Sequence, residues 1–373
     1  MLSRSVKTLA VVVSIFFFTS NLSGMFLPVY FRDSGMSIAE IVEILFFTFL
    51  VIGLLPLVLL NFVKNFERII SVGIFTTMLF NVALLYVKHP IVLGLAQGVG
   101  TATFWPSFNL LQFRLSESAV RARTISFLSS IIPSIASIVG PAVGGLIVEG
   151  FQFQSLFMVS VVLYFVAFLL SISLHFEPEV YRFSMPKSRI FVIFFMTFMI
   201  LGLTESYWLA YPFFLFNVSG TVLNMGLVLA LSAVLVSIVT FLVNWVSDVK
   251  RARVSFAVIG TVLHVFWYFA IGFASTTYQI VALSLLSGLS SAFSVSWFAH
   301  YGDSFGKQHY ASILVLMEMG LMIGRIINLV PTFVLISEAN FASYFMLLGM
   351  ISLSLIPFYF ASKKVGTKNI AKA

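Results

Sequence analysis

The sequence predicts an all-α integral membrane protein with about twelve transmembrane helices in two pseudo-symmetric six-helix bundles. Three observations carry that expectation. Of 373 residues, 60% are hydrophobic and only 9% charged, too little charge to cover a soluble surface. The apolar residues come in runs of about 20, the length that crosses a lipid core about 30 Å thick, where a helix satisfies its own backbone hydrogen bonds. Lys and Arg fall almost entirely on one side when those runs are threaded back and forth through a membrane.

The spans are expected near 8–30, 38–60, 69–87, 90–113, 124–149 and 155–174, then near 190–216, 221–247, 253–274, 277–301, 311–336 and 341–361. The chain opens on a basic stretch, Arg4 and Lys7, followed by an apolar run that reaches Tyr30. That run is too long for the apolar part of a signal peptide, and more spans follow, so it reads as the first span. The stretch His175–Arg189, with Glu177, Glu179, Arg182, Lys187 and two prolines, is the only long polar interruption. It divides the chain into a first bundle over 1–174, a cytoplasmic linker over 175–189 and a second bundle over 190–373.

The net charge of +8 does not imply a nucleic-acid partner, because the basic residues sit in short loops between spans. With the N-terminus inside, alternation leaves Arg32 and Lys88 outside and Arg325 within a span, and puts every other Lys and Arg inside. The positive-inside rule therefore predicts an even number of spans and two cytoplasmic termini, in a plasma or inner cell membrane. Cysteine is absent, so no disulfide contributes.

The two halves echo each other. Asn61 to Asn65 and then Arg68 follow the second span; Asn244 to Asp248 and then Arg251 and Arg253 follow the eighth. Gln97-Gly98 in span four parallels Ser287-Gly288 in span ten. Weak internal symmetry of this kind marks carriers built from two related bundles around a midplane site.

This layout, with the Asn/Asp-basic turns, resembles the major facilitator superfamily over nearly the whole chain. Span five adds Gly140-Pro141-Ala142-Val143-Gly144-Gly145, similar to the GPxxGG motif of the proton-antiporter and drug-efflux branch. Gly140 and Gly144 share a helix face that another helix can approach closely, and Pro141 removes a backbone donor and bends the helix. The resemblance implies a conformational hinge at Gly140, Pro141, Gly144 and Gly145. It also implies an inner-loop latch at Asn65, Arg68, Asp248, Lys250, Arg251 and Arg253, working through a carboxylate at a helix N-terminus and basic partners. Two departures stand out. Asn65 and Asn61 replace the expected Asp of the first latch, and Gly94 stands where the branch carries a buried Arg linked to proton coupling.

Charges within lipid are costly and usually face a cavity or a partner. Glu205, Glu318 and Arg325 are such charges, all in the second half. At about 1.5 Å per residue, Glu205 and Arg325 lie roughly 21–22 Å along their helices and therefore at similar depth, with Glu318 a heptad nearer the cytoplasm. They are the expected proton-coupling residues or, in the plainer reading, a structural ion pair. In the resembled family spans one, four, seven and ten line the cavity. That nominates Asn21, Gln97, Trp105, Asn109, Tyr207, Trp208, Tyr211, Ser294 and Trp297 for a substrate with flat apolar surface, or else as helix-contact residues. His264 in span nine reads as a helix-to-helix hydrogen bond.

No catalytic motif, nucleotide loop or metal-ligand spacing occurs, so the chain is not read as an enzyme and no cofactor or metal is expected. The function expected is secondary active transport of a small organic solute by alternating access, with proton-coupled efflux leading. Symport or uniport uptake of a sugar or metabolite is the alternative, and a membrane-embedded enzyme or lipid scramblase the distant one. The expected partners are a small-molecule substrate, protons and the lipid bilayer, with the chain acting as a monomer.

Overall fold

The structure is a computed structural model, and it describes residues 4–63, 65–115, 128, 131–174, 181, 183–186, 188–250, 253–290, 297–298, 300–301, 304–305 and 309–370. These residues are helical, joined by short turns. In the first half the helices are α1 (Arg4–Ser23), α2 (Leu27–Asp33), α3 (Ile38–Phe62), α4 (Ile69–Tyr86), α5 (Pro90–Leu115) and α6 (Ile132–Ile172). In the second they are α7 (Arg189–Leu203), α8 (Ala210–Ser219), α9 (Val222–Lys250), α10 (Arg253–Gly272), α11 (Thr277–Ser290), α12 (Tyr310–Ser337), α13 (Phe341–Leu353) and α14 (Leu355–Ile370). Eight helical stretches among the described residues are long and apolar enough to cross a membrane. The chain is an all-α, multi-pass membrane protein.

Among the described residues the helices follow the expected spans, with breaks within three of them. The first span bends at a 3-10 turn, Gly24–Phe26, just before Pro28. The expected spans 124–149 and 155–174 are the two arms of α6, two helices that meet at Gln152, whose φ of 67° and ψ of 172° are not helical. The expected span 190–216 is interrupted: α7 stops at Leu203 and α8 starts only at Ala210. The last span divides at Ser354. Proline contributes to each of these three breaks, because its ring excludes the carbonyl four residues back and it donates no hydrogen bond. Pro212 and Pro357 both lie in the first turn of the helix that resumes.

By its contacts the chain forms two units, Met1–Phe183 with Leu215–Ala230, and Ser184–Phe214 with Leu231–Ala373. The expected division into 1–174, 175–189 and 190–373 differs at residues 215–230. Their place follows from close backbone approach: a Cβ on Gly145 would lie 3.1 Å from Leu223 Cα, and one on Gly226 would overlap the Pro141 carbonyl.

Lipid is as apolar as leucine, so close fit rather than expulsion of water holds such helices together. In the first unit α1 lies along α6, and α5 is flanked by α3 and α4. Phe16 stacks on Phe104 at 3.5 Å between ring centroids, with Phe17, Phe108 and Tyr164 around them. A Cβ on Gly144 would overlap the Leu22 carbonyl, so the glycine face of α6 is what lets α1 approach. Helix α3 begins in a capping box: the Ser37 hydroxyl accepts from Glu40 N at 3.3 Å, and the Glu40 carboxylate accepts from Ser37 N at 2.8 Å. In the second unit α12 is buried all round from Ala311 to Glu318 and on one face as far as Ile336, with Ile327, Val330, Phe333 and Val334 exposed; it lies against α7, while α13 lies against α10.

Candidate functional site

The break between α7 and α8 holds the site. Gly202 near the end of α7, and Gly320 and Gly324 on α12, have no side chains to separate the two helices. A Cβ on Gly324 would overlap the Met199 carbonyl, and one on Gly202 would overlap that of Leu321. This contact brings Glu205, two residues past the end of α7, against Arg325.

The pairing is bidentate. Arg325 Nε donates to Glu205 Oε2 at 2.7 Å and Arg325 Nη2 donates to Glu205 Oε1 at 2.9 Å. Trp208 Nε1 donates to the same Oε2 at 2.7 Å, and the guanidinium carbon lies 5.7 Å from the centre of the Trp208 ring. Glu318, one heptad earlier on the same face of α12, receives Arg325 Nη1 at a longer 3.4 Å. Arg325 is 8% exposed and Glu318 9%. Two carboxylates thus share one guanidinium, and Glu205 has the better share.

The backbone of the break is satisfied by side chains from other helices. The Glu205 carbonyl accepts from Asn328 Nδ2 at 2.8 Å, and the Thr204 carbonyl accepts from the Tyr268 hydroxyl of α10. Asn328 also donates to Tyr344 Oη of α13 at 3.1 Å, and Thr332 Oγ1 sits 3.1 Å from the same oxygen. Irregular backbone at membrane depth persists only where protein groups replace the missing helical bonds in this way. Sequence reasoning missed Asn328, Tyr344 and Tyr268; the one signal for the helix contact was the Gly320-Gly324 spacing in span eleven.

The other nominated residues are scattered. Tyr207, 47% exposed, stacks on Trp208 at 5.4 Å, and Tyr211 faces Trp267 at 6.0 Å. Trp105 is 39% exposed and lies against Phe17 and Phe108. Gln97 Oε1 lies 3.2 Å from Thr48 Oγ1, between α5 and α3. Asn21 donates to Phe17 O within α1, and Asn109 is half-buried in α5. Trp297, expected on a cavity wall, is instead enclosed by Phe194, His300 and Tyr359 and is 1% exposed. Ser294 lies outside the described residues. His264 Nδ1 lies 3.2 Å from Ser290 Oγ, linking α10 to α11.

In the hinge motif Gly140, Pro141, Gly144 and Gly145 are one face of α6, set against α1 through Asn21 and Leu22 and against the start of α9. For the latch, Arg68 is exposed at the start of α4 and Asn65 is half-buried just before it. Asp248 is not at a helix N-terminus as expected, because α9 continues through it to Lys250. Arg253 begins α10, and Arg251 lies outside the described residues.

Comparison with known proteins places this arrangement. A family model described as Major Facilitator Superfamily matches residues 9–183. The crystal structure of the POT family transporter PepTSo aligns with a TM-score of 0.78 at 10% identity, covering 99% of each chain. A mutant of the nucleoside transporter NupG aligns with a TM-score of 0.73 at 14% identity, covering 96% of this chain and all of that one. The fold is that of these transporters. A further NupG structure aligns at 0.70 and 13% identity over 97% of this chain. No curated protein matches the chain in sequence.

Proposed function

We propose that the chain is a member of the major facilitator superfamily and a secondary transporter that moves a small organic solute by alternating access, with both termini cytoplasmic and proton-coupled efflux as its mode. The family match over the first half and the shared fold support the carrier reading. One observation supports the coupling: two buried carboxylates, Glu205 and Glu318, share the single guanidinium of Arg325. With both ionised the group carries one net negative charge, which the surrounding apolar helices disfavour; one added proton makes it neutral. Glu205 takes both forks of the guanidinium, so Glu318 is the proton carrier. Gly140, Pro141, Gly144 and Gly145 serve as the conformational hinge, and Tyr207 with Trp208 offers the substrate a flat aromatic wall beside the charged group.

The test is flux in proteoliposomes with and without a pH gradient. Wild-type protein is expected to couple solute movement to protons, and Glu318→Gln to lose the pH dependence while Glu205 stays paired. Unchanged pH dependence in both Glu318→Gln and Glu205→Gln sinks the coupling.

A specific observation favours uptake by symport or uniport as the second reading. A Cβ on Gly94 would lie 2.5 Å from the Ile44 carbonyl and 2.9 Å from Phe47 Cβ. The contact between α5 and α3 therefore leaves no room for the buried arginine that the resembled antiporter branch carries there.

A further inference from the structure

Glu205 is grasped twice by α12. Arg325 takes its carboxylate, and Asn328, one turn further along the same face, takes its carbonyl at 2.8 Å. The second grip matters because Glu205 lies outside any helix: its own N–H reaches the Gly202 carbonyl at 3.4 Å, and α8 does not begin until Ala210. Without a continuous helical ladder, tertiary bonds fix where its Cα stands. A bidentate pair tolerates little displacement of that atom, since both oxygens must meet the guanidinium fork together.

Asn328 is itself fixed. Its amide donates to Tyr344 Oη at 3.1 Å, and Thr332 donates to the Asn328 carbonyl at 2.7 Å while lying 3.1 Å from the tyrosine oxygen. All three side chains are buried, so they act through Glu205 rather than on a solute. The charged and titratable groups facing Glu205 are Arg325 and Glu318 from α12, Tyr207 beside it, Tyr268 from α10 with His264 behind it, and Tyr344 from α13.

We propose that Asn328, held by Tyr344, is a positioning residue: it pins the Glu205 peptide, keeps the Glu205 carboxylate in the bidentate pair, and so sets how much of Arg325 is left to Glu318, the proton carrier. This rests on the reading of the Glu205–Arg325–Glu318 group as the proton-exchanging site. Loosening the peptide weakens that pair, frees Arg325 to turn toward Glu318 and favours the charged form of Glu318.

Trp208 reports on this directly, because its indole donates to Glu205 Oε2. The experiment is a pH titration of tryptophan fluorescence on the full chain in lipid nanodiscs, with the Trp208→Phe trace subtracted. The expected result is one transition, absent in Glu318→Gln, that moves downward by about half a pH unit or more, a roughly threefold change in proton affinity, in both Asn328→Ala and Tyr344→Phe. Tyr344→Phe removes only the hydroxyl and decides the matter if Asn328→Ala fails to fold. A transition that vanishes in Glu318→Gln yet stays in place in Tyr344→Phe overturns the positioning role alone. A transition that persists in Glu318→Gln overturns the proton-site reading beneath it.

Discussion

At the scale of single residues the structure turns on an unequal division of one guanidinium. Glu205 holds Arg325 by two bonds and Glu318 by one long one, so removing the arginine strands two carboxylates, not one. Breaking a buried pair in this way costs about 3–5 kcal/mol, whereas removing both partners together can be nearly neutral. Arg325→Leu is therefore expected to lower thermal stability sharply. Adding Glu205→Leu to it is expected to restore a large part of the loss, read as a coupling energy in a double-mutant cycle of detergent unfolding. A strictly additive cycle would mean that the pair contributes nothing to the fold. The pair was legible in the sequence, because counting residues from the cytoplasmic ends put Glu205 and Arg325 level. The residues behind it were not. Asn328 and Tyr344 are polar side chains of a kind common in membrane helices, and only the tertiary path of a broken helix gives Asn328 a backbone carbonyl to meet and Tyr344 an Asn328 to hold. Trp297 illustrates the opposite limit: its residue type suits a cavity wall as well as a core, and here Phe194 and Tyr359 enclose it.

At the scale of helices the site exists because α7 and α12 nearly touch. In that contact a methyl group on Gly202 or Gly324 has nowhere to go, and Gly324 is the tighter of the two. Gly324→Ala is expected to push α7 away from α12, lengthen the Glu205–Arg325 pair and cost about 1–3 kcal/mol, as overpacking does. Gly150→Ala is the control: a Cβ there meets nothing within 4 Å, and alanine is the better helix former. Detergent unfolding of the two variants checks both signs, and equal destabilisation would mean that backbone contact at Gly324 does not set the helix spacing. The interruption of α7 was readable in part. Pro212 cannot donate to the Trp208 carbonyl, which marks the end of the gap, but nothing local marks its beginning at Thr204. There the unravelled backbone is chosen by donors that arrive from α10 and α12. Periodicity finds apolar runs well; it does not find a break inside one.

At the scale of the whole molecule, hydropathy and charge specify how the chain is threaded, because each term acts on every span at once. The distribution of Lys and Arg yields a sharp expectation about sidedness. Lys88 Nζ donates to the Ser34 carbonyl at 3.2 Å, so the turn after α2 and the turn after α4 share one end of the first unit. Arg68 lies at the far end of α4, some eighteen residues away along the helix Ile69–Tyr86, about 27 Å at the helical rise, enough to cross most of a lipid core. The chain has no cysteine, so a single one can be placed without removing others. In intact cells Lys88→Cys is expected to react with a membrane-impermeant maleimide added outside, and Arg68→Cys to react only after the membrane is opened. Both substitutions fall on side chains open to solvent, so neither disturbs the packing that holds the bundle. If Arg68→Cys labels from outside and Lys88→Cys does not, the first unit is inverted. The cytoplasmic assignment of the linker and both termini would then fall with it, while the Glu205–Arg325 group, which depends on helix contacts and not on sidedness, would stand.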